Sequence, residues 1–516
     1  MRRPPPRRHE LTAPAEVAFT RDGKLAAEVV PDQVLPKVLT TFGLIAIYVF
    51  IIYFITGSSI ISSAGWASMP MWVLGFVVFL VPAGMAVMEL GNLWPAQGGV
   101  YIWAYRTMNE PLAFFGGFLS WIPVILNGAT TPAAIVAFLA LAFGAEIGLT
   151  TSILLQLLVL WLAVGLALRK LTVTQKVMYT VFGVYAVVCL AVLFVGIANA
   201  VTDGSAVPLV AKDLYTVDFA NYGWVFGLVL LYLLGVETPF NMGAEFLSVR
   251  RSAVKMVALG SVVLAVGYVI TTAGILMSTP LEKIDPVTGV IGSLEAAGIP
   301  GLMPLAAVAL AVVMVIALTT YQSAYARLIF VSGIERHLPR LFTHLNPRTR
   351  NPVTAVLVQG VISSTMIVVL YSQSSLATTF LYLQGALTIV WLASGYFFFV
   401  PLAIARWKYA DRYASEDFWR IPGGKPAAVL TSVVGSLATT AGIYYTFTLP
   451  FSADIPQSDW MTWVGVTIAV TVLAAALVYV FGRRSAGKLT QEDALAHLAV
   501  LEIPEQKPAP TTTPSA

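Results

Sequence analysis

Apolar residues run along this chain in long unbroken blocks, with charged and turn-forming residues gathered between them. A helix that crosses a membrane needs about 20 predominantly apolar residues. Blocks of that kind fall near 40–66, 70–93, 112–144, 149–168, 176–200, 222–246, 253–278, 303–331, 353–373, 378–405, 426–449 and 460–482. The pattern predicts twelve spans, with 112–144 a single tilted helix.

Two blocks carry an interruption. The first contains ITGSSIISSAG, residues 55–65, where Gly57, Ser58 and Ser59 are poor helix-interior residues. Glycine costs backbone entropy there, and serine competes for backbone hydrogen bonds. In hydrocarbon, unwound backbone is tolerated only where protein or a water-filled cavity surrounds it. The stretch is therefore either a break lining a site or a place where helices pack closely. The second block reads GLVLLYLLGVETPFNMGAEFLSV. Gly235 suits the left-handed residue after a helix end, and Thr238-Pro239 suits the start of a new helix. The chain is expected to unwind at Gly235–Glu237 and restart at Pro239. By the same logic Gly57 ends the first half of span 1, and Ser58 or Ser59 caps the second.

The two interrupted spans lie five apart and so cross in opposite senses, as an inverted five-helix repeat requires. The repeats would be about 40–200 and 222–405, with the last two spans outside them. Such an architecture binds substrate at the paired breaks, helix N-termini facing an anionic group and freed carbonyls facing a cation. An α-amino acid carries both groups. The residues expected to bind it are Gly57, Ser58, Ser59 and Ile60 in span 1, with Gly235, Val236, Glu237, Thr238 and Asn241 in span 6.

Composition agrees with a membrane protein: 58% of the 516 residues are hydrophobic and 11% charged, where soluble domains carry about 25% charged residues. With the N-terminus placed inside, all but Lys212 and Lys283 of the 30 lysines and arginines fall on the cytoplasmic side. Both termini are thus expected in the cytoplasm, with residues 38–482 forming a multi-pass domain of the cell membrane. Residues 1–37 are basic and cut by charges, with no signal-type apolar core, and read as a disordered tail. The tail 483–516 holds a short amphipathic helix, KLTQEDALAHLAVLEI, opened by a capping box at Thr490 and Asp493.

One cysteine, Cys189, excludes an intramolecular disulfide and a thiolate metal cage. The four histidines lie outside the apolar blocks, which argues against an embedded metal site. No metal, cofactor or nucleic-acid partner is expected. The chain lacks HExxH, GxSxG and P-loop motifs, so neither hydrolytic catalysis nor ATP-driven pumping is expected.

Glu237 is the most informative single residue. A charged carboxylate at mid-membrane costs roughly 2.5–3.5 kcal/mol even on a lenient scale. It either contacts a substrate amine or carries a proton, or it satisfies orphan N–H groups of the second half-helix; the two roles are compatible. Thr319, Thr320, Gln322 and Ser323 form a polar cluster in span 8, read as a cation site, a pathway lining or interhelical hydrogen bonding. Gln384 and Asn127 carry the same alternatives. Glu89 and Glu245, nearer the cytoplasmic ends, suit pairing near loops. Tyr232, Tyr382, Trp121 and Phe240 are gate candidates or simple bundle contacts.

These residues resemble the amino acid–polyamine–organocation superfamily of permeases. AGMAVMELGNLWPAQGGVYIWAYR (83–106) matches its A-E-L-G-x-x-x-P-x-x-G-G-x-Y signature at Glu89, Leu90, Gly91, Pro95, Gly98, Gly99 and Tyr101. The segment 332–356 resembles the linker before span 9 at Leu338, Pro339, Phe342 and Pro352, and Gly235, Glu237 and Glu245 match the span 6 pattern. The resemblance implies an all-α membrane protein of twelve helices, with a LeuT-type five-plus-five inverted repeat, helices 1 and 6 broken, and two further helices. It implies alternating-access transport of amino acids or related amines, by exchange or proton symport. The substrate carboxylate would meet backbone N–H groups at Gly57–Ser59 and the amine carbonyls around Gly235–Glu237. A polyamine or organic-cation transporter of the same fold, or a sensor that keeps the fold without transport, are the alternatives.

Three features depart from the family or narrow it. The usual G-x-G-I-F reads Gly57-Ser58-Ser59-Ile60-Ile61, and the usual N-P-x-R-x-x-P after span 6 is absent. Residues 177–200 hold no charge, so coupling through a mid-membrane lysine on span 5 has no counterpart. The G-V-E of span 6 is similar to the glutamate/γ-aminobutyrate exchanger branch.

Overall fold

The computed structural model describes residues 25–371, 376–452 and 454–486. The basic segment before Leu25 and the amphipathic helix expected after residue 486 lie outside them. Regular structure among the described residues is helical, apart from the isolated bridges Leu39–Phe246 and Leu345–Pro352. The main helices are α1 (Ala26–Val34), α2 (Thr41–Ile52), α3 (Ile55–Ser62), α4 (Val81–Leu93), α5 (Gly99–Thr107), α6 (Glu110–Trp121), α7 (Pro123–Phe143) and α8 (Leu149–Ala167). They continue as α9 (Leu171–Thr202), α10 (Phe219–Leu231), α11 (Val249–Ser278), α12 (Leu302–Ile334), α13 (Val353–Tyr371), α14 (Leu376–Lys408), α15 (Gly424–Thr448) and α16 (Gln457–Ala486).

Ten helical runs among the described residues are long and apolar enough to cross a membrane, and Phe219–Leu231 and Val353–Val369 are apolar but shorter. All of them fall on the blocks read from the sequence. The block 112–144 is one run, Glu110–Phe143, in which α6 meets α7 at Ile122; the Pro123 that follows has no N–H to donate. α10 is short because the block 222–246 leaves α-helical geometry after Leu231.

The centre of the bundle belongs to the first run. In its most apolar stretch, Thr41–Ser62 is 89% buried, against 17% for Gln457–Arg484; the latter turns its apolar surface outward. α2 packs on α11, α11 on α9, α12 on α7, and α14 on α15. Trp72 stacks on Tyr268 with ring centroids 4.3 Å apart, which fixes α11 against the centre.

Two buried ion pairs tie helix ends together on the face that carries most of the basic residues. Glu89 of α4 is held by Arg406 of α14 at 2.5 Å, by the Tyr413 hydroxyl at 2.7 Å and by the Ile421 N–H at 2.7 Å. Arg327 of α12 holds Glu245, with Nη2 2.8 Å from Oε1, and donates a further bond to the Ser323 carbonyl. The sequence placed both carboxylates near loops. Their arginine partners come from other apolar runs.

The N-terminal region differs from expectation. Residues 26–34, read as part of a disordered tail, form α1, and Val30 and Val34 with Leu35 bury against Ala244, Phe330, Ile334 and Leu345. The charges that cut the apolar pattern sit on the other face: Glu28 pairs with Arg106, and exposed Asp32 with Lys37. A short surface helix needs only one apolar stripe, which a search for long apolar blocks passes over.

Candidate functional site

α2 stops at Ile52. Tyr53 (φ −83, ψ 95) and Phe54 (φ −99, ψ 111) are extended, and α3 begins at Ile55. The opening therefore lies upstream of Gly57–Ser59, which sit inside α3 and neither end the first half-helix nor cap the second. Tyrosine hydroxyls satisfy the freed backbone. Tyr321 donates to the Ile51 carbonyl at 2.5 Å, Tyr268 to Ile52 at 2.7 Å and Tyr185 to Tyr53 at 2.9 Å. The Phe54 N–H donates to the Tyr268 hydroxyl at 3.0 Å. Tyr268 bonds both the Ile52 carbonyl and the Phe54 N–H, which also bond each other at 3.1 Å, and a net hydrogen bond contributes about 0.5–1.5 kcal/mol. Tyr268→Phe is thus expected to lower stability by about 1–3 kcal/mol, read as a fall in melting temperature. Tyr382→Phe, whose half-exposed ring faces Trp460 and Trp463, should change it by less than about 0.5 kcal/mol.

The second opening follows α10. Tyr232 to Glu237 leave the α-helix, and a 3-10 helix runs from Thr238 to Glu245 with Pro239 in its first turn. The restart is where Thr238-Pro239 placed it; the unwinding begins earlier, at Tyr232. Gly235 has φ +103, and a Cβ there would lie 2.9 Å from Ile51 and 3.1 Å from Trp391. Only glycine fits that conformation and that gap. The second opening packs on both helices that flank the first, Gly235 against Ile51 of α2 and Tyr232 against Gly57 of α3. A Cβ on Gly57 would come within 2.6 Å of the Tyr232 ring, so the smallness of Gly57 lets α3 and the unwound segment meet.

Glu237 lies at this junction, 1% exposed. Its Oε1 accepts from the Trp391 indole at 3.1 Å, with longer contacts from Thr238 at 3.4 Å and Ser120 at 3.5 Å. Thr238 also bonds the Tyr325 hydroxyl at 2.8 Å. Oε2 has no hydrogen-bond partner among the described residues. Their ion pairs join Glu28, Asp32, Glu89, Glu110, Glu245 and Glu416 to lysine or arginine, and none of those cations reaches Glu237. The arrangement is an enclosed carboxylate, oriented on one oxygen and open on the other, in aromatic surroundings.

The other residues singled out from the sequence divide. Val236 is buried in the unwound segment, and Asn241 is buried in the 3-10 helix beside Gly99 with neither amide atom bonded. Ser58 and Ile60 are buried in α3, and the Ser58 hydroxyl is unpartnered. Ser59 is turned elsewhere: its hydroxyl accepts the Val290 N–H at 2.9 Å, joining α3 to the turn Gly289–Gly292. Thr319 and Thr320 bond back to the Val315 and Ile316 carbonyls of their own helix, both at 2.8 Å. Ser323 gives its carbonyl to Arg327, and Gln384 is buried with its Oε1 unpartnered. Trp121 packs on Phe118, and Phe240 packs on Trp103 against α4 and α5.

Trp391, Ser120, Tyr325 and the tyrosines 185, 268 and 321 were missed by sequence reasoning. The available signal was position: tyrosine gathers at membrane interfaces, whereas these sit well inside apolar blocks, where a hydroxyl must find a partner.

Comparison with known proteins places the chain. Residues 37–477 match the family model described as amino acid permease. A probable agmatine/putrescine antiporter of Lactococcus lactis is 23% identical over 43% of this chain, and the match spans about half (48%) of that relative's length. An uncharacterized transporter of Legionella pneumophila is 22% identical over 89% of the chain and 99% of its own length. The glutamate/gamma-aminobutyrate antiporter of Lactococcus lactis is 21% identical over 79% of the chain and 83% of its own. Among solved structures, MhsT in complex with L-phenylalanine superposes with a TM-score of 0.58 at 12% identity, over 80% of this chain and 99% of that one. The chain has the LeuT-type fold of that neighbour, and with the family model matching most of its length it belongs to the amino acid permease family as a multi-pass membrane protein.

Proposed function

We propose that the protein is a secondary transporter that moves amino acids or related amines across the cell membrane by alternating access. In this reading the chain crosses twelve times, with both termini and the basic face cytoplasmic, and its first ten spans form two inverted repeats. The openings at Tyr53–Phe54 and Tyr232–Glu237 then hold the substrate between them.

One observation carries the reading: Glu237 is buried at the junction of the openings with one carboxylate oxygen unpartnered. An ionised carboxylate in that position is costly. An ammonium group from the substrate neutralises it, and so does a proton. Because both compete for the same oxygen, loading an amine displaces a proton, and the alternation supplies coupling by exchange. Trp391 holds the carboxylate in one orientation throughout, so that the site is arranged before substrate arrives.

The lone charge also favours a second reading, in which the substrate is a net cation such as a diamine. No lysine or arginine occurs in 53–60 or 232–241 to take a substrate carboxylate, which leaves backbone N–H groups and uncharged donors such as the Ser58 hydroxyl and the Asn241 amide. Counterflow distinguishes the two. Proteoliposomes loaded in turn with γ-aminobutyrate, glutamate, putrescine and agmatine are assayed for uptake of the same labelled compound, with and without a pH gradient. Amino-acid counterflow supports the first reading and diamine counterflow the second. A sensor that keeps the fold would give neither.

A further inference from the structure

α1 lies across a seam on the basic face. Its apolar side buries against Ala244 of the 3-10 helix that follows Glu237, against Phe330 and Ile334 of α12, and against Leu345. Its first turn meets the end of α12, where the Ala27 N–H donates to Glu335 Oε1 at 2.7 Å. Glu28 caps the Leu25 N–H at 2.8 Å and holds Arg106 at the end of α5, with Nε 3.0 Å from Oε1. The chain then passes to the 3-10 helix again: the Val38 and Leu39 N–H groups both donate to the Glu245 carbonyl, at 3.0 and 2.9 Å. One short segment thus joins the 3-10 helix, α12 and α5. The 3-10 helix and α12 are joined between Glu237 and this face by the Thr238–Tyr325 and Glu245–Arg327 contacts, so an opening along that seam parts the two.

We propose that α1 is a strap closing the basic-face exit of the Glu237 site, and that Glu335 makes the strap hold more firmly in acid than in alkali. The exit role rests on the transporter reading above; the strap itself does not. Glu335 follows the last residue of α12 and lies beneath α1. Burial raises its carboxyl from 4.5 to about 7, with Glu28 and Glu110 adding to the rise and the Ala27 N–H and Arg336 opposing it. Tyr101 and Tyr105 face the same group and stay neutral across this range. Arg106, the nearby cation of α5, is engaged by Glu28. His337, bonded to the Tyr101 hydroxyl at 3.0 Å, is pushed down to about 4 by burial and does not titrate between pH 5 and 8.

The sign follows from linkage. Lifting α1 admits water to Glu335 and returns its carboxyl toward 4.5, so docking takes up a proton between 4.5 and about 7. The strap is at full strength below that window, weakens as pH rises through it and levels off above. Between pH 5 and 8 the docking constant changes by up to roughly 70-fold.

The test is hydrogen–deuterium exchange on the full chain in lipid nanodiscs at pH 5.5, 7 and 8, with protection corrected for the intrinsic exchange rate. In the unmodified chain, amides 26–35 should lose at least about tenfold protection from pH 5.5 to 8. Glu335→Gln should keep the acid level of protection throughout. Val30→Asp should release 26–35 at every pH and also raise exchange in 238–246, leaving 424–448 unchanged. A Glu335→Gln chain with the unmodified pH slope would overturn the role of Glu335. Release of 26–35 in Val30→Asp with 238–246 unmoved would overturn the strap. Exchange is read without substrate, so failure of the transporter reading would appear separately, as absent counterflow with the exchange pattern intact.

Discussion

Glu237→Gln should reduce counterflow of the transported amine by about 10- to 100-fold and remove its pH dependence between pH 5 and 8. The substitution preserves shape and leaves an acceptor for the Trp391 indole, so the fold is retained. What it removes is the charge proposed to face the substrate. Hydrogen bonds to charged groups contribute about 1.5–3 kcal/mol, and each 1.4 kcal/mol is tenfold in affinity. The pH dependence disappears for a second reason, since an amide does not ionise between pH 5 and 8. Initial rates in proteoliposomes at several pH values check both parts. Retained rate and retained pH profile would reduce Glu237 to a structural role, as acceptor for the Trp391 indole and the Thr238 and Ser120 hydroxyls.

The second large effect concerns stability. Arg327→Met should destabilise the protein by about 3–5 kcal/mol, because it strands the Glu245 carboxylate in a buried position. Arg327 and Glu245 side chains are each 1% exposed, so neither can recover solvation by a small movement. Replacing both, Arg327→Met with Glu245→Met, should restore most of the loss, since well-packed apolar residues often match a buried pair. Melting temperatures of the single and double variants form a double-mutant cycle. A double variant as unstable as the single would show that the arginine acts mainly through the Ser323 carbonyl and Asn351, which it also reaches.

The spans were legible because their signal is length and hydrophobicity, which hydrocarbon imposes on every residue of a crossing helix. The restart at Thr238-Pro239 was legible for a local reason as well, since proline acts on its own backbone; the expected cap is not made, because the Thr238 hydroxyl bonds Tyr325 and Glu237 instead. The opening in span 1 was misplaced by several residues, and the cause is instructive. Gly57 and Ser59 look like breakers, yet the helix continues through them, because Gly57 admits the Tyr232 ring and Ser59 reaches Val290. The backbone opens instead at Tyr53–Phe54, where hydroxyls from α9, α11 and α12 replace the lost helical bonds. Those partners are more than 130 residues away along the chain, and no local pattern announces them. Helix propensity says where unwinding is cheap, and tertiary partners decide where it is paid for.

Glu237 itself was conspicuous as a carboxylate in an apolar block. Its setting was not, because Trp391, Ser120 and Tyr325 are brought to it from three separate helices. Thr319 and Thr320 mark the opposite case: polar residues that attract notice in a span but spend their hydroxyls on their own helix.

The most direct test of the account is an experimental structure of the full chain with the amine identified by counterflow. The account predicts that the ligand lies between Tyr53–Phe54 and Gly235–Glu237, its nitrogen within hydrogen-bonding distance of Glu237 Oε2. A ligand held elsewhere, with that oxygen still unpartnered, would contradict it.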